Sequence, residues 1–394
     1  MLKNSLKRLI ILCCFSAMLL ITLYSCGHQG TAGNNTNDKM TSIRFYIGSY
    51  SSAEEPGIYL YDYDISTGEF TMIQEVEGHK NPSFLALDPL AGHLYAVNEI
   101  NDFNGDNSGS VSAFSIDKKT GMLSFINRQS SIGAHPCHIS VLPDGSHVAV
   151  ANYSGGSLAL LPLLENGALE KASGFIQHEG NGPDQRRQRS AHAHSVYPVP
   201  GGSWLLAADL GTDNVMAYKV ENDGRLNTPS AVAEMEPGAG PRHIAIHPSG
   251  RWIYVINELN STITWLMFDE GSGAMTVLGS LSTLPEDFEG ENFCADIHVH
   301  PAGKFLYGSN RGHNSIAVYE INRDGKPELI YHEPVRGEWP RNFNIDPSGN
   351  LLFVANQNSG NITVFDIDTE TGRLTFTGNE LKISQPVCIL FSNQ

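Results

Sequence analysis

The chain has 394 residues, of which 41% are apolar and 17% charged, a composition typical of a globular protein and not of a disordered or fibrous one. Its formal net charge of −17 argues against nucleic acid as a partner. Thirty-nine glycines and twenty prolines indicate a fold with many turns.

The N-terminal segment predicts export. Basic residues precede an apolar run at 9–23, which has the charge and length of a secretory signal. The run ends at Cys26, as in a bacterial lipoprotein signal, so we predict a signal peptide at 1–25 and lipidation of Cys26. The expected location is the periplasmic side or the cell envelope, with the lipid as the only membrane contact; ordinary secretion with an incidental Cys26 is the alternative. Residues 26–42, rich in Gly, Asn and Thr, predict a flexible tether.

From residue 43 to residue 394 one unit recurs along the chain. It has an apolar strand, a Pro/Gly turn, a second strand ending in Asn or Asp, a third strand, a glycine turn and a variable fourth strand. An early second strand ends near Ser49, and the others end at Asn98, Asn152, Asp209, Asn257, Asn310 and Asn356. Seven repeats of four strands predict an all-β fold, a seven-bladed β-propeller.

The two ends of the repeat array complement each other. The first repeat has no first strand, and one strand is left over at 386–391. We therefore predict that the C-terminal strand pairs with the N-terminal blade and closes the ring, which removes exposed sheet edges. A tandem of separate β-domains, the alternative, does not explain an orphan strand at each end.

Turns and cysteines are interpreted as structural features. Glycine recurs in the turn after each third strand, for example at Gly121 and, in the fourth repeat, in Asn222-Asp223-Gly224. Three cysteines in the repeats are too far apart in sequence for a disulfide framework or a ligand pair, and we expect buried free thiols at Cys137, Cys294 and Cys388.

Equivalent positions of the repeats carry an unusual set of polar residues. In a propeller the first strands line the axis, and they begin on the face where the second strands end. The residues fifteen positions before the terminal Asn or Asp are Ser83, Cys137, His194, Arg242, Ala295 and Arg341. The residues fourteen positions before it are Phe84, His138, Ser195, His243, Asp296 and Asn342. The residues one position after it are Glu99, Tyr153, Leu210, Glu258, Arg311 and Gln357. So many ionisable residues at one register predict a site at the mouth of the channel.

The residue types suit an anionic small molecule that carries a carbonyl group. Arg242, Arg311 and Arg341 could bind a carboxylate or phosphate. Glu258 could polarise a water, and His194 could move a proton near neutral pH. The alternative is that Arg242 and Glu258 form a salt bridge at a hairpin end while the histidines hydrogen-bond the blade edges.

Two loops are expected on the same face. The polar loop 177–195 contains three arginines, of which Arg186 and Arg189 are interpreted as solvated and Arg187 is left open. The acidic loop 284–292 is predicted to lie at the rim.

The remaining histidines do not predict a metal site. His-x-His pairs at 192/194 and 298/300 lack a third ligand at a usable spacing, so we expect no metal and no cofactor. His247 and His300 stand next to turns and are interpreted as structural.

Five motifs together resemble the propeller-type lactonase family, which includes bacterial 6-phosphogluconolactonase and fungal carboxy-cis,cis-muconate cyclase. They are GAGPRHIAIHP at 238–248, YVINELNSTI at 254–263, ADIHVHPAGKFLY at 295–307, QRRQRSAHAHSV at 185–196 and WPRNFNIDPSG at 339–349. The resemblance implies a catalytic set of His194, Arg242 and Glu258, completed by Arg311 or Arg341. We assign substrate binding to His138, His243, Asp296, His298, Arg311 and Arg341.

The resemblance implies an enzyme of carbohydrate metabolism that takes a small-molecule lactone. The expected reaction is hydrolysis of 6-phosphoglucono-δ-lactone to 6-phosphogluconate, or of a related sugar lactone. Arg242 would stabilise the oxyanion and Glu258 or His194 would act as the base. Sugar phosphates are scarce outside the cytoplasm, so an unphosphorylated lactone is also considered. The alternatives are a muconate-type cycloisomerase and a non-enzymatic binding propeller tethered to the membrane.

Overall fold

The computed structural model describes residues 41–201, 204–221 and 226–392. The predicted signal peptide, Cys26, nearly all of the predicted tether and the turn Asn222-Asp223-Gly224 lie outside these residues. Among the described residues, none belongs to a helix with the length and apolar character needed to span a bilayer.

Short strands account for nearly all of the regular secondary structure in the described chain. In order they are β1 Ser42–Ser49, β2 Ile58–Asp64, β3 Phe70–Val76, β4 Leu85–Leu87, β5 His93–Asn98, β6 Ser110–Ile116, β7 Leu123–Ser130, β8 Pro136–Val141, β9 His147–Asn152, β10 Ser157–Pro162, β11 Gly174–Gln177, β12 Ala193–Pro198, β13 Trp204–Asp209, β14 Asn214–Lys219, β15 Ala231–Glu234, β16 Pro241–Ile246, β17 Trp252–Asn257, β18 Thr262–Phe268, β19 Met275–Ser282, β20 Phe293–Val299, β21 Phe305–Arg311, β22 Ser315–Ile321, β23 Pro327–Pro334, β24 Pro340–Ile345, β25 Leu351–Asn356, β26 Asn361–Ile367, β27 Leu374–Lys382 and β28 Pro386–Phe391. A 3₁₀ helix, Phe103–Gly105, lies between β5 and β6.

These strands form seven four-stranded antiparallel sheets within the described ranges, which confirms the predicted seven-bladed propeller. Six blades are consecutive, from β4–β7 to β24–β27. The remaining blade has the order β28-β1-β2-β3, with Phe45 opposite Phe391 and Gly48 opposite Cys388. The C-terminal strand therefore closes the ring, as predicted. The first strands β28, β4, β8, β12, β16, β20 and β24 contact one another in sequence around the axis.

The apolar core lies between the blades. Each hydrophobic cluster found in the described chain combines residues from two neighbouring blades, as when Phe45 of β1 packs against Phe353 of β25 with ring centroids 5.3 Å apart. Both faces of a blade are therefore covered, so the middle strands are almost continuously apolar. This packing fixes each blade against the next.

A hydrogen bond between adjacent blades recurs at the glycine turns. The hydroxyl of Tyr46 donates to the carbonyl of Gly121 at 2.7 Å, and Tyr254 donates to Gly325 at 2.9 Å. Gly121 has φ of 74°, and a Cβ there would lie 2.7 Å from Arg44 Cδ. Glycine is therefore required at this turn both by the backbone conformation and by the neighbouring blade.

The residues interpreted as structural lie within these contacts. His247 and His300 hydrogen-bond the carbonyls of Gly303 and Gly349 in the next blade, at 3.0 and 2.9 Å. Cys137, Cys294 and Cys388 are buried free thiols, as expected. Burial raises the pKa of Cys294 to about 11 and that of Cys388 to about 12.

Candidate active site

A β-bulge at the start of the first strand places side chains on the axis. In β8, Pro136 pairs with Asn152 and His138 pairs with Ala151, so Cys137 is an extra residue between them. The same shift leaves His194, Arg242, Arg341 and Val387 as the extra residues of β12, β16, β24 and β28. A bulge redirects the side chain of the extra residue. In β8, β12, β16 and β24 the position fifteen residues before the terminal Asn or Asp is therefore the bulge position.

These side chains meet those that follow the second strands in a cavity of about 240 Å³. We call it the upper cavity, because it opens on the face where the first strands begin. It is lined by Glu99, Cys137, Tyr153, Arg187, His194, Glu258, Phe293, Arg311, Trp339 and Arg341. A narrow throat continues from it along the axis and is lined by Tyr50, Ser83, Phe84, Glu99, Cys137, His194, Arg242, His243, Arg341 and Val387.

Glu258 lies at the centre of an arginine cluster. Its Oε1 accepts a hydrogen bond from Arg187 Nη2 at 2.6 Å, and its Oε2 accepts from Arg242 Nε at 3.0 Å and Arg311 Nη2 at 2.7 Å. Burial by itself would raise the pKa of Glu258, but Arg311, Arg242 and Arg187 hold that pKa far below its usual value. Burial lowers the pKa of Arg311 to about 10 despite Glu258. The carboxylate is therefore ionised at any physiological pH, and both of its oxygens are engaged.

Arg242 is held on three sides. Besides Glu258, its Nη1 donates to the carbonyl of Ala295 at 2.5 Å and to His243 Nε2 at 3.2 Å. His243 Nδ1 in turn lies 2.7 Å from Asp296 Oδ1. Burial and the charge of Arg242 lower the pKa of His243 to about 4, so the ring is neutral at neutral pH. Asp296 can only accept, which places the single ring proton on Nδ1 and leaves Nε2 to accept from Arg242.

His194 is buried beside this cluster. Its Nδ1 lies 3.8 Å from Cys137 Sγ, and its ring centroid is 5.5 Å from that of His243. Burial, Arg242 and His243 hold the pKa of His194 well below its usual value, so this imidazole is neutral.

A second carboxylate, Glu99, faces the same cavity in a different environment. Its Oε2 accepts from Ser83 Oγ at 2.6 Å and from the Tyr50 hydroxyl at 2.9 Å. Arg341 Nη2 donates to the same Tyr50 hydroxyl at 2.8 Å, and the guanidinium carbon lies 5.3 Å from the centroid of the Tyr50 ring.

The outer wall is aromatic and comes partly from the loops. Arg311 lies over Trp339 at 5.4 Å, and Arg187 lies over Phe293 at 5.9 Å. Beyond Arg187 the cavity opens into a rim cleft of about 570 Å³, lined by Asp184, Arg186, Arg187, Leu259, Asn260, Ser261, Leu284, Gly290, Glu291, Asn292 and Phe293. Both loops expected on this face therefore border the site.

The predicted site residues divide between the two ends of the channel. His194, Glu258, Arg311 and Arg341 line the upper cavity, and Arg242 and His243 line the throat. His138, Asp296 and His298 instead line a lower cavity of about 340 Å³ at the other end, together with Phe84, Leu85, Ala86, Leu87, Ile139, Ser140, Val141, Tyr197, Pro198, Asn342, Asn344, Cys388, Ile389, Leu390 and Phe391. Among the described residues, the hydrogen-bonded link from Asp296 to Arg242 in the throat passes through His243.

Several residues of the upper cavity and its throat were not assigned from the sequence. Arg187 bonds Glu258 and the hydroxyl of Tyr153, whereas the side chain of Arg186 is 84% exposed. Tyr50 follows the end of β1, so the register rule that singled out Glu258 identifies it as well. No sequence pattern identified Trp339 or Phe293 as lining residues. No three His, Cys, Asp or Glu side chains within the described part of the chain are placed to hold a metal ion.

Comparison with known proteins gives a consistent answer. Residues 44–391 match the family described as lactonase, 7-bladed beta-propeller. The chain is 35% identical over 356 residues to 6-phosphogluconolactonase of Bacillus subtilis, covering 90% of this chain and 100% of that protein. It is 37% identical over 347 residues to 6-phosphogluconolactonase of Formosa agariphila, covering 86% of this chain and 96% of the relative.

A solved structure shares the whole fold. The periplasmic gluconolactonase of Pseudomonas aeruginosa superposes with a TM-score of 0.83 at 29% identity, covering 89% of this chain and 99% of that one.

Proposed function

The chain belongs to the seven-bladed β-propeller lactonase family, and we propose that it hydrolyses 6-phosphoglucono-δ-lactone or a related sugar lactone. The observation that carries this proposal is the convergence of Arg187, Arg242, Arg311 and Arg341 on one small cavity and its throat. Attack of water on a lactone carbonyl places negative charge on its oxygen, and preoriented donors in a dry cavity stabilise that charge.

Arg242 is the best-placed donor for this oxyanion. Its Nε and Nη1 are taken up by Glu258, Ala295 and His243, while Nη2 has no hydrogen-bond partner among the described residues. A guanidinium fixed on two of its nitrogens presents the third in a defined direction. A donor fixed in this way needs little reorganisation when the oxyanion forms.

Glu258 supports the site as the anion that holds the arginines. Three guanidiniums occupy its oxygens, and its pKa lies far below the usual range. Such a carboxylate is a weak proton acceptor. His194 offers a neutral ring that can hydrogen-bond the substrate or the attacking water.

The proposal is tested by lactone hydrolysis with the full-length chain. Glucono-δ-lactone and its 6-phosphate are compared, with rates corrected for spontaneous opening. Arg242→Ala is expected to lower kcat/KM about 100-fold, the effect typical of losing one oxyanion donor. The matched control is Arg251→Ala, since Arg251 lies in the same blade but is exposed over Trp252 at 4.6 Å. Unchanged kcat/KM of Arg242→Ala on both lactones would contradict the assignment.

The same experiment addresses the substrate. A preference for the phosphate that Arg242→Ala abolishes would support 6-phosphoglucono-δ-lactone. Turnover of the plain lactone alone would support an unphosphorylated sugar lactone, the class indicated by the name of the Pseudomonas relative.

We also propose export of the protein and anchoring through a lipid on Cys26. The support is the basic and apolar sequence before Cys26 and the periplasmic description of the Pseudomonas relative. Cys26→Ser is expected to abolish incorporation of a labelled fatty acid and to release the protein from the membrane fraction. Unchanged membrane association of this variant would contradict the anchor.

A further inference from the structure

Four carboxylate or imidazole side chains that face the upper cavity and throat can in principle accept a proton from water: Glu258, His243, His194 and Glu99. The free ring nitrogen of His243 already accepts a hydrogen bond from Arg242 Nη1. Glu258 is the least suitable, because protonation would break charged hydrogen bonds to Arg187, Arg242 and Arg311. His194 is neutral, but an imidazolium there would be buried beside the permanent charge of Arg242.

Glu99 occupies the same register position as Glu258, one residue after the end of the second strand of its blade. Its direct hydrogen-bond partners differ from the three arginines that bond Glu258. Both groups that bond its side chain, Ser83 and Tyr50, are neutral hydroxyls, and both bond Oε2. Oε1 has no hydrogen-bond partner in the described ranges, and Glu99 lines both the upper cavity and the throat.

The direction of these hydrogen bonds is fixed by Arg341. A guanidinium can only donate, so the bond from Arg341 Nη2 uses the Tyr50 oxygen as acceptor. The hydroxyl hydrogen of Tyr50 is then directed to Glu99 Oε2. Tyr50 and Ser83 thus hold one oxygen of the Glu99 carboxyl group and leave the other available in the cavity. Tyr50 is a positioning residue in this arrangement.

Resting on the proposed lactone hydrolysis, we propose that Glu99 is the general base of this site. Oε1 takes a proton from water as the water oxygen bonds to the lactone carbonyl carbon, and the carbonyl electron pair moves to the oxygen facing Arg242. When this tetrahedral intermediate collapses, the carbonyl re-forms and the bond to the ring oxygen breaks. The ring oxygen takes the proton from Glu99, which returns to the carboxylate. The product acid then releases its own proton to solvent.

The test uses Glu99→Gln and Glu99→Ala in the full-length chain with glucono-δ-lactone. Glutamine keeps the shape and can still accept from Tyr50 and Ser83, so the fold is expected to be unchanged by circular dichroism and melting temperature. We expect kcat to fall about 100-fold, within the range of a lost general base, and KM to change less than about threefold.

Chemical rescue separates a catalytic role from a structural one. Sodium formate is expected to raise kcat of Glu99→Ala at least about tenfold, because formate supplies the missing carboxylate. Glu258→Ala is the matched control at the equivalent position and is expected to show no rescue, because its arginines lose their anchor. Loss of activity in Glu99→Ala without rescue would overturn the proposal.

The outcomes also distinguish this inference from the function on which it rests. If the unmodified protein turns over a lactone and Glu99→Gln keeps more than a third of its kcat, Glu99 is not the base. If the unmodified protein turns over neither lactone, the proposed function itself fails.

Discussion

The two ends of the axial channel each contain a buried carboxylate, and the two are stabilised in different ways. Glu258 in the upper cavity is paired with three permanent cations. Asp296 in the lower cavity accepts from His243 at 2.7 Å, His298 at 3.1 Å, Asn342 at 2.5 Å and the backbone N–H of Ile297 at 2.9 Å. Burial would raise the pKa of Asp296, but its two histidines keep that pKa well below the usual range.

The difference separates two tasks. The upper end concentrates fixed positive charge where a carbonyl oxygen would become an anion. The lower end holds the ring proton of His243 on Nδ1, and in the described part of the chain this ring is the hydrogen-bonded link between Asp296 and Arg242. The orientation of the Arg242 guanidinium therefore depends both on the charge of Glu258 and on the position of the His243 ring proton.

The largest expected effect comes from removing the charge at the upper end. Glu258→Gln leaves Arg242 and Arg311 buried without their anion, and breaking a buried ion pair typically costs about 3–5 kcal/mol of folding free energy. We expect a loss of that size in urea unfolding. A loss below about 1 kcal/mol would mean that the cluster does not depend on Glu258.

A smaller effect is expected when the lower end is changed without altering its shape. In Asp296→Asn the amide can donate to His243 Nδ1, which moves the ring proton to Nε2, opposite Arg242 Nη1. Loss of a hydrogen bond to a charged group is worth about 1.5–3 kcal/mol, or roughly 10- to 100-fold in kcat/KM. His298→Gln, which removes a bond to Asp296 but leaves His243 in place, should lose much less. Equal losses in both variants would argue against control through the ring proton.

The smallest effect is a difference in pH dependence. Burial and nearby arginines lower the pKa of His79 and of His243 to about 4, against about 6.5 in an unfolded chain. Unfolding therefore takes up protons between pH 6.5 and pH 4, so stability is complete above this window and falls as the pH falls through it. Each such histidine contributes up to about 1.4 kcal/mol per pH unit.

Folded Glu258 stays ionised throughout this window, and an unfolded glutamate takes up protons only near its ordinary pKa of about 4.3. Glu258 therefore adds little to the slope above pH 5. Urea unfolding at pH 7, 6 and 5 should therefore give the same slope for Glu258→Gln as for the unmodified protein. His79→Gln, which lies outside the channel, should give a shallower slope. An unchanged slope for His79→Gln would contradict the low pKa of that ring.

The repeat made much of this architecture predictable. Alternating strands, Pro/Gly turns and the orphan strand at each end are local features, and together they define the blade number and the closure. Because every blade has the same register, equal offsets from the terminal Asn lie at equal heights, which is why His194, Arg242 and Glu258 could be grouped from the sequence.

The division of the ring into two ends was not predictable in the same way. Each bulge inserts one residue and reverses the alternation that follows, so neighbours such as Cys137 and His138 point to different ends of the channel. The amino-acid composition of a strand does not show where a bulge lies. Arg187 hydrogen-bonds Glu258 from a loop. Loops have no sequence periodicity, so the position of this side chain could not be predicted by counting from the repeat.

The pairing of β28 with β1 has a consequence for the order of events during synthesis. Phe45 is made early, but its partner Phe391 follows only after six other blades. Until then β1 is an unpaired edge, and β28 supplies the last contact of very high sequence separation. We expect ring closure to be a late and slow folding step, as is usual for such non-local pairings. A nascent chain interrupted before β28 would carry an edge open to pairing with other chains.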